Sequence, residues 1–292
     1  MNILDKFKSL FKSKHLDIAS RFTIEREAVS GTMSEFFVVR EHSTGKMLGL
    51  KILDLEKQDF FESRFEGRTR PKEGEISCQM HHPNVVETFE HGYLATGQQY
   101  IVMEYIDGLG LAAMILDNDP KLVGNQVDLI NQMADALEYV HKQEFIHRDI
   151  CPRNFIVSKD GKMLKLIDFG LTLPATPEFM VPGNRTGTPN YMAPEIVRRR
   201  ATDQRTDLFS FGVTAFRLCA YELPWPVGEG TGLAALNHDS MPPKDIFELC
   251  PGINETLGKA IMSCIEQDPN NRPDSVTAFK NLIRDVKSID QA

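Results

Sequence analysis

The apolar residues of this 292-residue chain change their period once, and that change limits the folds open to it. From Phe22 to about Val102 they come in short runs rich in β-branched and aromatic residues: FTIEREAV, EFFVVREH, KMLGLKIL, NVVETFEHGYL and QQYIVMEYI. Ser30-Gly31 and Ser43-Thr44-Gly45 separate the first three runs. Runs bounded this way predict strands. Between the third and fourth runs a charged stretch, KQDFFESRFEGRTRPKEGEISCQM, breaks at Pro71 and predicts one helix over about 72–80. Beyond Gly108 the spacing turns helical, with Leu129, Met133, Ala136, Leu137 and Val140 on one face of a helix over about 124–141. Short strands are expected at FIVS and LKLID, and further helices near 207–220, 253–267 and 275–288. The pattern predicts an α+β chain with a small five-stranded lobe carrying one main helix, then a larger, mostly helical lobe. No internal repeat is visible.

Composition narrows the classes. With 41% apolar and 25% charged residues the bulk of the chain is not intrinsically disordered. A formal net charge of −8 argues against a non-specific nucleic-acid binder, which needs a basic face. Cys78, Cys151, Cys219, Cys250 and Cys264 include no C-x-x-C pair, so neither a zinc ribbon nor a dithiol motif is suggested. An odd, scattered set reads as reduced cysteine, and the expected location is cytoplasmic. No apolar run approaches the ~18 residues of a membrane span. The N-terminus lacks the apolar core and cleavage site of a secretory signal. Ile3, Leu4, Phe7, Leu10 and Phe11 nevertheless form an apolar helical stripe beside Lys6, Lys8, Lys12 and Lys14. Residues 1–15 could pack on the adjacent lobe, or make a weak contact with a membrane surface or a partner.

The densest chemistry is His147-Arg148-Asp149-Ile150-Cys151-Pro152-Arg153-Asn154, followed by Asp168-Phe169-Gly170. The first string sets a carboxylate and an amide on a loop after a helix. The second sets a carboxylate at a strand end beside a glycine. Two acids and an amide suit Mg²⁺ and phosphate, because Mg²⁺ prefers hard oxygen ligands.

These strings resemble the catalytic and metal-binding loops of the eukaryotic-type (Hanks-type) serine/threonine protein kinases. The resemblance runs from about Phe22 to Leu282, in the family's order and near its spacing. It implies a bilobal kinase fold with ATP and Mg²⁺ held in a cleft between the lobes, and a protein substrate. The family's general roles then fall on this chain as follows. Asp149 accepts the substrate hydroxyl proton, and Asn154 and Asp168 hold Mg²⁺. Lys51 meets the nucleotide phosphates and is held by Glu73, with Glu75 as a local competitor. Met103, Glu104 and Ile106 resemble the segment that meets adenine. Gly187-Thr188-Pro189-Asn190-Tyr191-Met192-Ala193-Pro194-Glu195 closes the activation segment, Asp207 anchors the catalytic loop, and Arg272 pairs with Glu195. The implied boundaries are an extension over 1–20, lobes over 21–103 and 109–285, a hinge over 104–108 and a tail over 286–292.

The sequence departs from that pattern in two places. In the glycine-rich loop Val29 replaces the first glycine, Gly31 keeps the second, Ser34 replaces the third, and Phe36 replaces the usual valine. Backbone N–H groups must approach phosphate closely there, so weaker or altered nucleotide binding is expected. Cys151 stands where serine/threonine members carry a lysine that neutralises the moving phosphoryl. Arg153 lies where tyrosine-specific members often place an arginine, and its guanidinium could supply that charge.

Thr188, with its longer motif, favours a serine or threonine acceptor over tyrosine. Thr172, Thr176 and Thr186 are candidate regulatory sites, and a phosphate on Thr186 would pair with Arg148. Regulation is expected from that loop, the N-terminal segment or other chains. The alternative is a pseudokinase scaffold, favoured by the degraded loop and Cys151 but opposed by the intact Lys51, Glu73, Asp149, Asn154 and Asp168. A small-molecule kinase is opposed by the full activation segment. The style of the H-R-D-I-C-P-R-N string suggests a bacterial member.

Overall fold

The computed structural model describes residues 18–27, 34–65, 67–183, 185–226, 237–238 and 240–290. The expected amphipathic segment at 1–15, and Val29 and Gly31, lie outside them. The chain forms two compact units. One holds residues up to Met80 together with Glu87–Ile106, and the other holds His81–Val86 and everything from Asp107 onward.

The first unit begins with α1 (Ile18–Arg21), β1 (Phe22–Glu27), β2 (Ser34–Glu41) and β3 (Met47–Leu53). It continues through α2 (Leu55–Glu62) and α3 (Glu73–Ser77) to β4 (Thr88–Tyr93) and β5 (Gln99–Glu104). The five strands form one antiparallel sheet in the order β1-β2-β3-β5-β4. Strand alternation sorts β3 by face. Leu48, Leu50 and Ile52 join Phe22, Val39, Tyr100 and Val102 in the core. Gly49 and Lys51 take the opposite face. A Cβ on Gly49 would lie 2.9 Å from the Phe36 ring and 3.0 Å from Met103 Cγ, so only glycine leaves room for both.

This unit corrects the expectation of one helix. The charged stretch forms α2, capped by the Asp54 side chain, which accepts from Lys57 N at 3.2 Å. Its only buried residue is Phe61, whose ring meets that of Phe65, just beyond the helix, edge to face at 5.3 Å. Arg70 covers Phe61 at 4.8 Å and pairs with Glu62 at 3.2 Å. Few apolar residues among many charges hide the helical period. The helix expected over 72–80 is shorter: α3 holds five residues, and turns follow it.

The second unit contains β6 (Gly108–Gly110), α4 (Leu111–Leu116), α5 (Gln126–Lys142), β7 (Phe145–Ile146), β8 (Phe155–Ser158), β9 (Leu164–Leu166) and β10 (Leu173–Pro174). Then come α6 (Pro194–Val197), α7 (Arg205–Ala220), α8 (Ile246–Leu249), α9 (Glu255–Cys264) and α10 (Val276–Leu282). The expected face of α5 is buried. Helix α7 buries almost its whole circumference, the mark of a central core helix. Helix α10 ends six residues before the expected Ser288, although Ile283 and Val286 remain buried beyond it. Residues 81–86 belong here because Val86 N donates to Leu166 O and Leu166 N to Asn84 O, each at 2.8 Å.

Helix α7 can lie against α9 only because residue 212 lacks a side chain. A Cβ there would stand 2.6 Å from Cys264 Cβ and 2.8 Å from Ile265 Cγ2. Gly212→Val should therefore lower unfolding stability by about 1–3 kcal/mol through overpacking. Urea denaturation measures it, and an unchanged midpoint would refute this account of the helix contact.

Candidate active site

In the first unit, alternation along β3 aims Lys51 away from the core and toward α3. Its Nζ donates to Glu73 Oε1 at 2.5 Å, with both side chains buried. Glu75 does not compete. It is exposed, and its carboxylate accepts from Lys72 N at 2.8 Å at the start of α3. Met103 is buried opposite Gly49 in the sheet. Glu104 N donates to Glu87 O at 2.9 Å, so the backbone N–H at that position is already committed. Ile106 is half-buried at the end of this unit. Ser34 and Phe36 lie on β2, paired with Leu53 and Lys51.

In the second unit, Asp207 organises the loop after β7. It lies in the first turn of α7, where the helix end favours a negative charge. Its Oδ1 accepts from Arg148 N at 2.7 Å, and its Oδ2 accepts from His147 N at 2.7 Å and lies 2.9 Å from His141 Nε2. Burial alone would raise the Asp207 pKa, but His141, His147 and the Arg148 N–H hold it below the usual carboxylate range. Its stabilisation is complete above about pH 4 and is lost as the pH falls through the folded value. Arg148 takes φ +69°, a conformation that non-glycine residues rarely adopt. The paired N–H bonds at 147 and 148 hold it there.

That turn presents Asp149. Its Oδ1 accepts from Thr188 N at 2.8 Å and from the Thr188 hydroxyl at 2.7 Å. Its Oδ2 accepts from Asn154 Nδ2 at 3.0 Å, and the same amide donates to Asp149 O at 2.7 Å. Arg153, exposed, donates from Nη2 to the Thr188 hydroxyl at 2.9 Å. Cys151 is fully buried with its sulfur 3.6 Å from that hydroxyl, and burial followed by the Asp149 charge pushes the thiol up to about 11. A thiol held neutral this way is a filler, not a nucleophile.

Asp168 lies beside this group. Ile167 N donates to Asn154 O at 3.0 Å, and Asp168 Oδ1 accepts from Gly170 N at 2.8 Å. Phe169 is buried edge to face on His147 at 5.4 Å. Burial lowers the His147 pKa, so the ring is neutral and its Nδ1 can accept from Asp149 N at 3.3 Å. The second unit thus brings together Asp149, Arg153, Asn154, Asp168 and Thr188. The Asn154 amide nitrogen is engaged by Asp149, which leaves the amide oxygen and the Asp168 carboxylate as hard-oxygen donors. That pair fits Mg²⁺.

The proposed regulatory residues are placed differently from the simplest expectation. Thr172 and Thr186 are buried, and only Thr176 of the three is exposed. The Arg148 guanidinium is also buried, with Nη1 donating to the Thr202 hydroxyl at 3.4 Å. A phosphate on Thr186 therefore requires this segment to move first. Several supporting residues carry no local sequence signal. His141 stands 66 positions from Asp207, and Thr202 stands 54 from Arg148.

Glu195 and Arg272 meet as expected in a two-pronged ion pair of 2.7 and 2.8 Å. The guanidinium also donates to the carbonyls of Glu266, Arg205 and Gln267, so all five of its N–H groups are used. Arg272→Ala leaves Glu195 buried and uncompensated and should cost about 3–5 kcal/mol of unfolding stability. Guanidinium denaturation tests this, and a loss below about 1 kcal/mol, as for an exposed pair, would contradict it.

Comparison with known proteins agrees with this geometry. Residues 22–282 match the family model described as protein kinase domain. The serine/threonine-protein kinase PknJ of Mycobacterium tuberculosis is 30% identical over 266 residues, covering 88% of this chain and 44% of that protein. The serine/threonine-protein kinase Pkn1 of Myxococcus xanthus is 28% identical over 274 residues, covering 90% of this chain and 38% of that protein. The probable serine/threonine-protein kinase PknB of Lactococcus lactis is 26% identical over 277 residues, covering 94% and 43%. The chain spans less than half the length of each of these relatives. With the family model covering most of its length, this chain belongs to the protein kinase family.

Proposed function

We propose that the chain transfers the γ-phosphoryl of ATP to a serine or threonine hydroxyl of a protein substrate. The observation that carries this reading is the Thr188 hydroxyl, which joins Asp149 and Arg153 through bonds of 2.7 and 2.9 Å. The Asp149 carboxylate, fixed by Thr188 and Asn154, orients the acceptor hydroxyl and takes its proton. The oxygen–phosphorus bond to the acceptor forms as the bond from the γ-phosphorus to its bridging oxygen breaks. Lys51, held by Glu73, binds the nucleotide phosphates. Asn154 and Asp168 hold Mg²⁺, which neutralises phosphate charge when bound. Arg153 stands beside the base where Cys151 has displaced a lysine, and its fixed charge supports the transfer. Lys51, Glu73, Asp149, Asn154 and Asp168 are retained, which favours catalysis over a scaffold.

A reducing compartment such as the cytoplasm is part of this proposal, supported by the free cysteines alone. All five cysteines are free. Among the described residues no helix is long and apolar enough to cross a membrane.

Labelled ATP with Mg²⁺ and generic protein substrates tests the reaction. Asp149→Asn should lower incorporation by about 10²–10⁴-fold, the usual range for a general base. Arg153→Ala should lower it less, mainly through kcat. Equal incorporation by wild type and Asp149→Asn would refute the reading, and an unchanged rate in Arg153→Ala would remove its role.

A further inference from the structure

Five of the sixteen arginines pair with carboxylates in ion pairs among the described residues. Arg21 pairs with Glu41 and Glu90, Arg40 with Glu25, Arg70 with Glu62, Arg205 with Asp203 and Arg272 with Glu195. An acidic chain with 41 carboxylates and 33 lysines and arginines makes such partners plentiful. Around the end of the activation segment two arginines have other partners. Arg153 and Arg217 flank the turn at Pro189–Tyr191 and bond to hydroxyls instead: Arg153 to Thr188 at 2.9 Å and Arg217 to Tyr191 at 2.6 Å. Arg199 and Arg200 follow α6 with exposed side chains that make no ion pair among the described residues. The nearest acid in the sequence, Glu195, is buried against Arg272.

We propose that this face binds acceptor peptides carrying aspartate or glutamate near the phosphorylated residue. The inference rests on the kinase reading and names its substrate class. Arg217 is held by the Tyr191 hydroxyl at the turn that leads from Thr188, so its charge sits at that turn with no carboxylate partner among the described residues. A carboxylate on the peptide completes that guanidinium as Glu195 completes Arg272. Arg199 and Arg200, exposed after α6 in the same chain segment, add positive charge that draws acidic segments. A basic segment meets four guanidiniums and is repelled.

The test uses the full chain and three serine peptides whose flanking residues are glutamate, alanine or lysine. We expect kcat/KM to fall in that order, with glutamate over alanine by about fivefold at low salt, the scale of a few exposed ion pairs. The preference should narrow at high ionic strength. Arg217→Gln, and separately Arg199→Gln with Arg200→Gln, should bring the glutamate-to-alanine ratio toward one, chiefly through KM. A merely structural role would lower both peptides together and leave the ratio fixed. A wild-type ratio of one, a preference for lysine, or a ratio unmoved by both variants overturns the proposal while leaving the kinase reading intact. Failure to phosphorylate any peptide or any generic protein, with wild type equal to Asp149→Asn, overturns the kinase reading and the proposal with it.

Discussion

One buried carboxylate sets the geometry of the catalytic loop. Asp207 receives two consecutive backbone N–H groups, those of His147 and Arg148, and lies against His141. Two N–H groups converging on one carboxylate force the chain to turn tightly, and Arg148 adopts its left-handed conformation as a result. Asp149, the next residue, is thereby aimed toward Thr188 and Asn154. Burying the charge opposes ionisation, but three nitrogen partners and the start of α7 more than offset that penalty. The strained turn persists because its surroundings determine it several times over.

The carboxylates of the second unit divide by how completely the protein satisfies them. Glu195 and Asp207 are buried and fully engaged, and they hold structure. Asp149 and Asp168 are only partly buried and face groups that position rather than neutralise them. Reactivity stays with the second pair. In the first unit Lys51 and Glu73 form a similar positioned pair, and Gly49 opens the space on that face for Phe36 and Met103. Cys151 shows the same logic in reverse: a buried thiol with a raised pKa contributes shape, while Arg153 brings charge to the Thr188 hydroxyl.

Much of this was legible in the sequence, for identifiable reasons. The five strands were visible because β-branched runs stood between turn residues, and α5 because its apolar face repeats at helical spacing. The chemical strings were visible because catalysis fixes residue type and spacing together. Helix α2 was not, since Phe61 alone carries its burial within a charged stretch. The early end of α10 was not, since Ile283 and Val286 continue the apolar pattern beyond the helix. The choice of Glu73 over Glu75 turned on which face of a short helix meets β3, which spacing alone only suggested. The partners of Asp207 and Arg148 lay far along the chain, and the burial of Thr172 and Thr186 depended on tertiary packing. The match of residues 22–282 to the protein kinase family model covers the stretch in which the chemical strings lay.

The most direct test of the account is hydrogen exchange at the His147 and Arg148 amides in wild type and in Asp207→Asn. A carboxamide offers one acceptor oxygen where two N–H groups and His141 converge. Bonds to a charged acceptor are worth about 1.5–3 kcal/mol, so exchange at both amides should accelerate by about ten- to a hundredfold. Amides in the middle of α5 should change far less. Unchanged protection of His147 and Arg148 would contradict the claim that this carboxylate holds the catalytic loop in place.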